Sequence, residues 1–327
     1  MGEHVTRPEA LIDIESLSKT FPGQVALNNV SMQILPGQIH ALVGQNGSGK
    51  STVIKILAGY HQPDPGARVR IRGNEVDIGS LSLDERRHVH VMHQDLGLVP
   101  TLSIIENLAL GRGYETGMGG RIDWRRERVR VQRLLREFDV QADPRTRVGA
   151  LSAAERAIVA LVRALQDWET DETGEHGQGL DLRSVLVLDE PTASLPKPEV
   201  NRLFDAVRKV ARRGGGVVFV SHRLDEVFEL ADYVTVLRDG KVVASQPLAE
   251  LNQAQLIELI VGRAVDDLYA TPPEPKAGIA LETIDLAGDS LVDLDMTVRA
   301  GEVVGIAGLV GSGRDEVAPL LFGAKRA

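Results

Sequence analysis

The chain has 327 residues, of which 43% are hydrophobic and 25% charged, so it is long enough for one large globular domain or two. Its formal net charge of -9 argues against a protein held on nucleic acid by bulk electrostatics, because such proteins usually present a basic face. It contains no cysteine, which excludes disulfides, thiolate zinc sites and cysteine catalysis.

The N-terminus is polar and lacks the apolar core of a signal peptide. No stretch reaches the ~18 apolar residues that span a bilayer. We therefore expect a cytoplasmic protein whose role at a membrane, if it has one, comes through a partner.

Short β-type runs alternate with helical patterns along the chain, which predicts an α/β fold with a largely buried sheet. Residues 38–44 predict a short strand that enters a glycine loop, and residues 50–60 predict the helix that follows. An antiparallel hairpin is predicted around Gly73. From 103 to 165, apolar residues at helical spacing predict a helical region.

The later part of the first domain predicts more buried strands. Continuous apolar runs at 184–191 and 216–222 are typical of strands covered on both faces. Residues 233–245 predict a hairpin that turns at Asp239 and Gly240.

Two segments interrupt this pattern. The acidic, glycine-containing segment 167–184 predicts a solvated surface loop rather than a metal site, because its carboxylates lack a recognisable ligand spacing. Residues 265–278 contain three prolines, which indicates an interdomain linker.

After this linker comes an internal repeat. Residues 299–315 align with residues 35–51 at one constant offset, which pairs Gly308 with Gly44. We therefore expect a second domain to begin here, with only its start in this chain. The predicted organisation is an N-terminal tail (1–10), a first domain (11–262), a linker (263–278) and the truncated start of a second, degenerate domain (279–327).

A phosphate-binding loop of the Walker A type lies between the first predicted strand and helix. Its glycines let the backbone curl so that successive N–H groups face a phosphate, and the helix N-terminus adds its positive end. We expect Lys50 to neutralise the β- and γ-phosphates and the Ser51 hydroxyl to bind Mg²⁺. The candidate nucleotide-binding residues of this loop are Gly44, Asn46, Gly47, Ser48, Gly49, Lys50, Ser51 and Thr52.

Candidate catalytic residues stand at the ends of two predicted strands, where open α/β sheets place their ligands. We expect Asp189 to hold Mg²⁺ through water and Glu190 to orient or deprotonate the attacking water. His222 ends the other strand. A lone histidine is usually structural, but this position favours a contact with the γ-phosphate of ATP.

These motifs, in this order, resemble those of the ATPase subunits of ABC transporters over nearly the whole chain. The resemblance implies a P-loop ABC-type α/β fold with a mixed sheet core, an antiparallel β subdomain and a helical subdomain at about 95–165. It also implies that Gln94 is the Q-loop glutamine, with a catalytic role and a place on Mg²⁺, that His222 is the switch histidine and that Phe21 stacks on adenine. The signature sequence corresponds to Leu151–Glu155, and its candidate residues are Ser152, Ala153, Ala154 and Glu155.

A narrower resemblance is carried by "HQDLGLVPTLSIIENLALG", "SHRLDEVF" and "GEVVGIAGLVGSGR", which look like the tandem ATPase subunit of bacterial monosaccharide importers of the ribose, xylose and galactose type. This implies a subunit that hydrolyses ATP to energise sugar import, located in the cytoplasm on the inner face of the membrane. The implied partners are the transmembrane permease, which the helical region would dock, and indirectly a sugar-binding protein. A second ATPase half or another copy would complete the dimer, and no nucleic acid is expected.

The sequence departs from the family pattern in both halves. Alanines replace the two signature glycines, Glu155 replaces the glutamine, and Pro196 stands where the D-loop aspartate is expected. An alanine keeps its N–H, but its Cβ obstructs close approach, so we expect a weakened signature. In the second loop, Arg314 and Asp315 stand where the first loop has lysine and serine.

The family builds each ATP site from the Walker A loop of one half and the signature of the other. The altered second loop would therefore face the altered signature, and both weak parts would fall in one site.

Two alternatives remain open. An ABC protein acting on ribosomes or DNA would be expected to show a long charged arm or coiled-coil insertion, whereas this linker is short and proline-rich. A regulatory or truncated protein could bind ATP with little turnover. The resemblance does not name the sugar, because substrate choice in such systems belongs to the binding protein and the permease.

Overall fold

The computed structural model describes most of the chain, and its residues fall into two compact units, 1–264 and 265–327. The described residues are 9–78, 85, 88–93, 95–166, 184–193, 195–263, 277–309 and 311–326. Gln94 lies outside the described residues, as do nearly all residues of the predicted tail, the acidic segment and the linker.

The strands and helices follow the predicted order. The strands are β1 (Ile12–Phe21), β2 (Gln24–Ile34), β3 (Ile39–Val43), β4 (Arg68–Ile71), β5 (Asn74–Val76), β6 (Val89–Met92), β7 (Val185–Asp189), β8 (Gly216–Val220), β9 (Tyr233–Arg238), β10 (Lys241–Pro247), β11 (Ile279–Leu286) and β12 (Leu294–Arg299). The helices are α1 (Lys50–Leu57), α2 (Ile104–Arg112), α3 (Trp124–Glu137), α4 (Ala153–Leu165), α5 (Lys197–Arg212), α6 (Leu224–Leu230), α7 (Gln253–Val261) and α8 (Arg314–Leu321).

A six-stranded mixed sheet forms the centre of the larger unit, in the order β10-β9-β3-β8-β7-β6. Strand β3 lies between β9 and β8 and runs parallel to both, while β10 pairs antiparallel with β9. Every residue of β3 and β8 is buried, as their continuous apolar sequences predict. The turn from β9 to β10 falls at Asp239 and Gly240, both at positive φ, which confirms the predicted hairpin.

An antiparallel sheet with the order β2-β1-β4-β5 completes the β structure of this unit. The predicted hairpin at Gly73 is confirmed, because β4 and β5 pair across it with Arg72 and Gly73 at positive φ. Apolar side chains of β1 and β2 join those of α1 and one face of the mixed sheet in a single cluster.

The opposite face of the mixed sheet packs against the helical region. Apolar residues of α2, α3 and α4 share one cluster with β3, β7 and β8. The start of α3 is capped by Asp123, whose carboxylate accepts from the N–H groups of Arg125 and Arg126. The expected mixed sheet, antiparallel subdomain and helical subdomain are therefore confirmed.

The smaller unit has the antiparallel pair β11–β12, helix α8 and a core of Leu291, Val317 and Leu320. The residues before its glycine loop are not paired in a strand, and Val303 and Leu309 are 81% and 86% exposed. The corresponding residues of the larger unit form β3 between two partners. Across both units, no described helix combines the length and the apolar composition that crossing a membrane requires.

Candidate nucleotide-binding site

The loop between β3 and α1 needs glycine for two different reasons. The φ values of Gly44, Gly47 and Gly49 are 155°, 80° and 106°, which residues with a side chain rarely adopt. A Cβ at Gly44 would overlap the carbonyl oxygen of Leu237, and one at Gly49 would lie 2.7 Å from the carbonyl oxygen of Ala26. A Cβ at Gly47 would meet nothing within 4 Å, so this residue lies on the open side of the loop.

We expect Gly49→Ala to lower the free energy of unfolding by about 3 kcal/mol, because strain at positive φ adds to overpacking. Its Cβ would lie 2.6 Å from Leu27 Cδ2 as well as against the Ala26 carbonyl. Gly47→Ala is the matched control, with the φ strain alone and an expected cost of about 1 kcal/mol. Urea unfolding measures both values, and equal costs would contradict the assigned packing.

Lys50 is the first residue of α1, and its side chain folds back over the loop. Its Nζ donates to the carbonyl oxygens of Gly44 at 2.8 Å and Gln45 at 3.0 Å. Burial lowers the pKa of Lys50, while the charges of Glu190 and Asp189 oppose that effect. The ammonium group is thus held at the loop close to two carboxylates.

The loop offers donors that suit an anion. The Thr52 N–H donates to the Gly49 carbonyl at 3.0 Å, while the N–H groups before it at the start of α1 have no acceptor within the helix, and the helix dipole adds positive potential there. Ser48 Oγ is buried and has no hydrogen-bond partner among the described residues. Asn46, Gly47 and Ser51 are exposed and Gly44, Lys50 and Thr52 are half-buried, so most of the candidate residues are accessible to a ligand, while Ser48 and Gly49 are buried. A polyphosphate fits this donor set.

Two carboxylates and a histidine meet where β7 and β8 end. Asp189 is the last residue of β7, and Glu190 follows at φ 50°, with its N–H donating to the Val220 carbonyl at 3.0 Å. Glu190 Oε1 lies 3.2 Å from His222 Nδ1. The sequence predicts these groups at two separate strand ends, and the parallel pairing of β7 with β8 brings them together.

Burial raises the pKa of Asp189, and repulsion from the Glu190 carboxylate raises it further. The charges of His93, Lys50 and Lys55 oppose this rise. Because the folded-state pKa is raised, ionised Asp189 destabilises the fold at neutral pH, and this penalty disappears below the ordinary pKa of 3.8.

We therefore expect Asp189→Asn to raise the melting temperature at pH 7 by about 2 °C in the absence of nucleotide. At pH 3 the Asp189 carboxyl is mostly protonated in the folded and in the unfolded chain, so the melting temperatures of the wild type and the variant should coincide. Calorimetry at the two pH values checks this expectation. A variant that is less stable than the wild type at pH 7 would contradict the inferred penalty.

The predicted magnesium ligands are only partly described. The Ser51 hydroxyl is exposed in the first turn of α1 and Asp189 ends β7, whereas Gln94 lies outside the described residues. Among the residues that are described, no group of three or more His, Cys, Asp or Glu side chains could hold a metal ion alone. A hydroxyl and a carboxylate are hard oxygen ligands, which suit Mg²⁺ shared with phosphate oxygens and water.

Phe21, the candidate adenine contact, ends β1 and is half-buried. The ring of His61 meets it edge-on at 5.3 Å, and Lys19 Nζ lies 5.3 Å from its centroid. The sequence predicts the aromatic residue but not these neighbours, since no spacing rule links residues 21 and 61.

The signature segment caps its own helix. Ser152 Oγ accepts from the Glu155 N–H at 3.2 Å, and Glu155 Oε2 accepts from the Ser152 N–H at 2.9 Å, a capping box. The N–H of buried Ala154 donates to Glu199 Oε2 at 2.5 Å, and Ala153 is half-buried beside it. Glu199 belongs to α5, and no sequence pattern predicts this contact. Carboxylates within the unit thus occupy two N–H donors of this segment, those of Ser152 and Ala154, and the Ser152 hydroxyl occupies a third.

The second glycine loop repeats the geometry of the first. Arg314 begins α8, and its Nη1 donates to the Gly308 carbonyl at 2.9 Å, as Lys50 Nζ does to Gly44. The Arg314 guanidinium also binds the neighbouring carboxylate of Asp315 at 3.0 Å. The repeat therefore keeps the cation-to-carbonyl contact, but pairs its cation with a carboxylate.

Comparison with known proteins extends these observations. Residues 27–169 match the family model described as ABC transporter. The chain is 40% identical over 317 residues to the ribose import ATP-binding protein RbsA 3 of Rubrobacter xylanophilus, covering 97% of this chain and 61% of that protein. It is 36% identical over 318 residues to the galactose/methyl galactoside import ATP-binding protein MglA of Escherichia coli K12, covering 96% of this chain and 60% of that protein.

Solved structures share the fold. The ADP conformation of MJ1267, an ATP-binding cassette of an ABC transporter, superposes with a TM-score of 0.63 at 21% identity, covering 78% of this chain and 99% of that one. The cbiO1 protein of Clostridium perfringens gives a TM-score of 0.61 at 22% identity, covering 80% and 97%. The chain spans about 60% of the length of the curated relatives it matches.

Proposed function

We propose that this chain belongs to the ABC transporter family and that it binds and hydrolyses MgATP to drive sugar import through a membrane permease. The match of residues 27–169 to the family model and the similarity to import ATP-binding proteins support this proposal. The observation that carries the catalytic part is the meeting of Glu190 and His222 at 3.2 Å beside Asp189. This geometry supports a role for Glu190 as proton acceptor, with the His222 imidazole beside it.

In the proposed reaction, Lys50 and the loop N–H groups hold the β- and γ-phosphates of ATP. Ser51 and, through water, Asp189 would hold Mg²⁺, which would supply positive charge to the phosphate oxygens. Glu190 orients a water and accepts its proton as the water oxygen bonds the γ-phosphorus. The bond from that phosphorus to the bridging oxygen breaks, leaving ADP and phosphate, while His222 contacts the γ-phosphate.

Sugar import and its partners are proposed on the names of the relatives, which are ribose and galactose/methyl galactoside import proteins. The permease would hold this chain at the inner face of the membrane, and the permease and, indirectly, a sugar-binding protein would supply the sugar specificity. The break between units at 264/265 supports a first ATPase domain at 11–262, a linker at 263–278 and the start of a second domain at 279–327.

Phosphate release from purified chain with MgATP, and with EDTA as the control, tests the ATPase step. Uptake of labelled ribose, xylose and galactose by cells with and without the encoding gene tests the transport step. ATP binding without any hydrolysis, alone or with the permease, would overturn the catalytic proposal. Unchanged uptake of all three sugars would overturn the transport proposal.

A second candidate function is ATP binding for regulation, with little turnover. It is favoured by the Ala154 N–H bond to Glu199 and by the pairing of Arg314 with Asp315, which reduce the donors available to a nucleotide. A tight ATP complex with no permease-stimulated turnover would favour this function over transport.

A further inference from the structure

A buried carboxylate stands behind the proposed catalytic residues. Glu226 is in α6, directly after the loop that carries His222, and is only 2% exposed. Its Oε2 accepts from Thr192 Oγ1 at 2.6 Å and from Ser221 Oγ at 3.0 Å. Arg223 Nη1 lies 2.7 Å from its Oε1.

These partners belong to the two loops that form the proposed site. Thr192 follows Glu190 by two residues in the loop after β7. Ser221 and Arg223 are the immediate neighbours of His222, and Ser221 Oγ also accepts from the Arg223 N–H at 3.0 Å. One carboxylate therefore ties together the loops that carry the base and the histidine.

The network has the properties of a positioning device. A buried carboxylate costs several kcal/mol unless it is paired and hydrogen-bonded, so the hydroxyl and guanidinium partners make its burial possible. Glu190 adopts φ 50°, a strained conformation for a residue with a side chain, and such residues persist only where their surroundings fix them. The bond from the Glu190 N–H to Val220 is one such constraint, and the Thr192–Glu226 bond is another.

We infer that Glu226 is a positioning residue for ATP hydrolysis: it fixes the Glu190 carboxylate and the His222 imidazole relative to each other without touching the nucleotide. This inference rests on the proposed ATPase function. It assigns to α6 a role in aligning the catalytic side chains, in addition to packing against the core of the unit.

The test is Glu226→Gln, which keeps the side-chain shape but removes the charge that Arg223 and the two hydroxyls share. We expect kcat for ATP to fall by about tenfold or more, while the dissociation constant for ATP changes less than about twofold. The matched control is Glu229→Gln, the same change at an exposed position of α6, with kcat unchanged. Thr192→Val removes only one hydroxyl and should also lower kcat, so it serves if Glu226→Gln does not fold.

Hydrogen exchange gives a readout that needs no ATPase activity. In Glu226→Gln, the backbone amides of 190–193 and 221–224 should exchange faster, while those of β3 and β8 keep wild-type protection. If wild-type protein lacks ATPase activity, the proposed function fails and this exchange pattern still tests the link between the loops. Wild-type kcat and wild-type exchange in both variants would overturn the inference, as would equal losses of ATP affinity and kcat.

Discussion

Lys50→Ala should abolish ATP hydrolysis in the tandem protein that we propose, with a loss of kcat of about 100-fold or more, whereas Arg314→Ala should cost less than about threefold. Lys50 is half-buried at the loop, where its charge acts in a medium less polar than water. Arg314 is already bound to Asp315 and is 39% exposed, so its removal takes little free positive charge from a phosphate. Phosphate release under saturating MgATP measures both losses.

Lys55→Ala is the matched control for the first variant, because it removes an exposed lysine from the same helix. It should keep wild-type turnover. If Lys50→Ala and Arg314→Ala were equally inactive, the interpretation of the second loop as the altered side of an asymmetric pair would be wrong.

Glu190→Gln should bind ATP with nearly wild-type affinity and hydrolyse it about 10²–10⁴-fold more slowly. The amide keeps the size of the carboxylate and can still bond to His222, but it cannot accept a proton from water. Removing the negative charge beside the phosphates should also favour ATP binding slightly. Titration with a fluorescent ATP analogue measures affinity, and a single-turnover assay measures the chemical step.

The matched control is Glu250→Gln, which makes the same change at an exposed position remote in sequence from the site. It should leave both affinity and turnover unchanged. A Glu190→Gln variant with wild-type turnover would show that another group accepts the proton, and would remove Glu190 from the proposed mechanism.

The phosphate loop and the strand-end carboxylates are predictable because local sequence specifies their geometry. The glycine spacing from Gly44 to Gly49 encodes positive φ angles, and the apolar run before Asp189 encodes a buried strand that must end where the charges begin. Both features need only neighbouring residues, so they can be read without knowing the tertiary fold.

Glu199 and Glu226 could not be identified in this way. Each lies in a helical segment whose charged residues are typical of a solvated face. Their roles depend on the packing of α5 against α4 and of α6 against the loop after β7. The sequence likewise aligns the second loop with the first, but the described residues directly before the second loop form no strand, whereas β3 pairs with β8 and β9, more than 170 residues later in the chain.

That long-range pairing determines when, during synthesis, the nucleotide-binding site can fold. Ala41 pairs with Phe219 and Val43 with Val236, so the strand that leads into the phosphate loop cannot be completed until β9 has emerged from the ribosome. A nascent chain that contains the Walker A motif but ends before β9 carries every residue of the motif in a loop that has not yet formed. Nucleotide should therefore stabilise only chains that extend through β9, and the apolar residues of β3 should need shielding from aggregation until then.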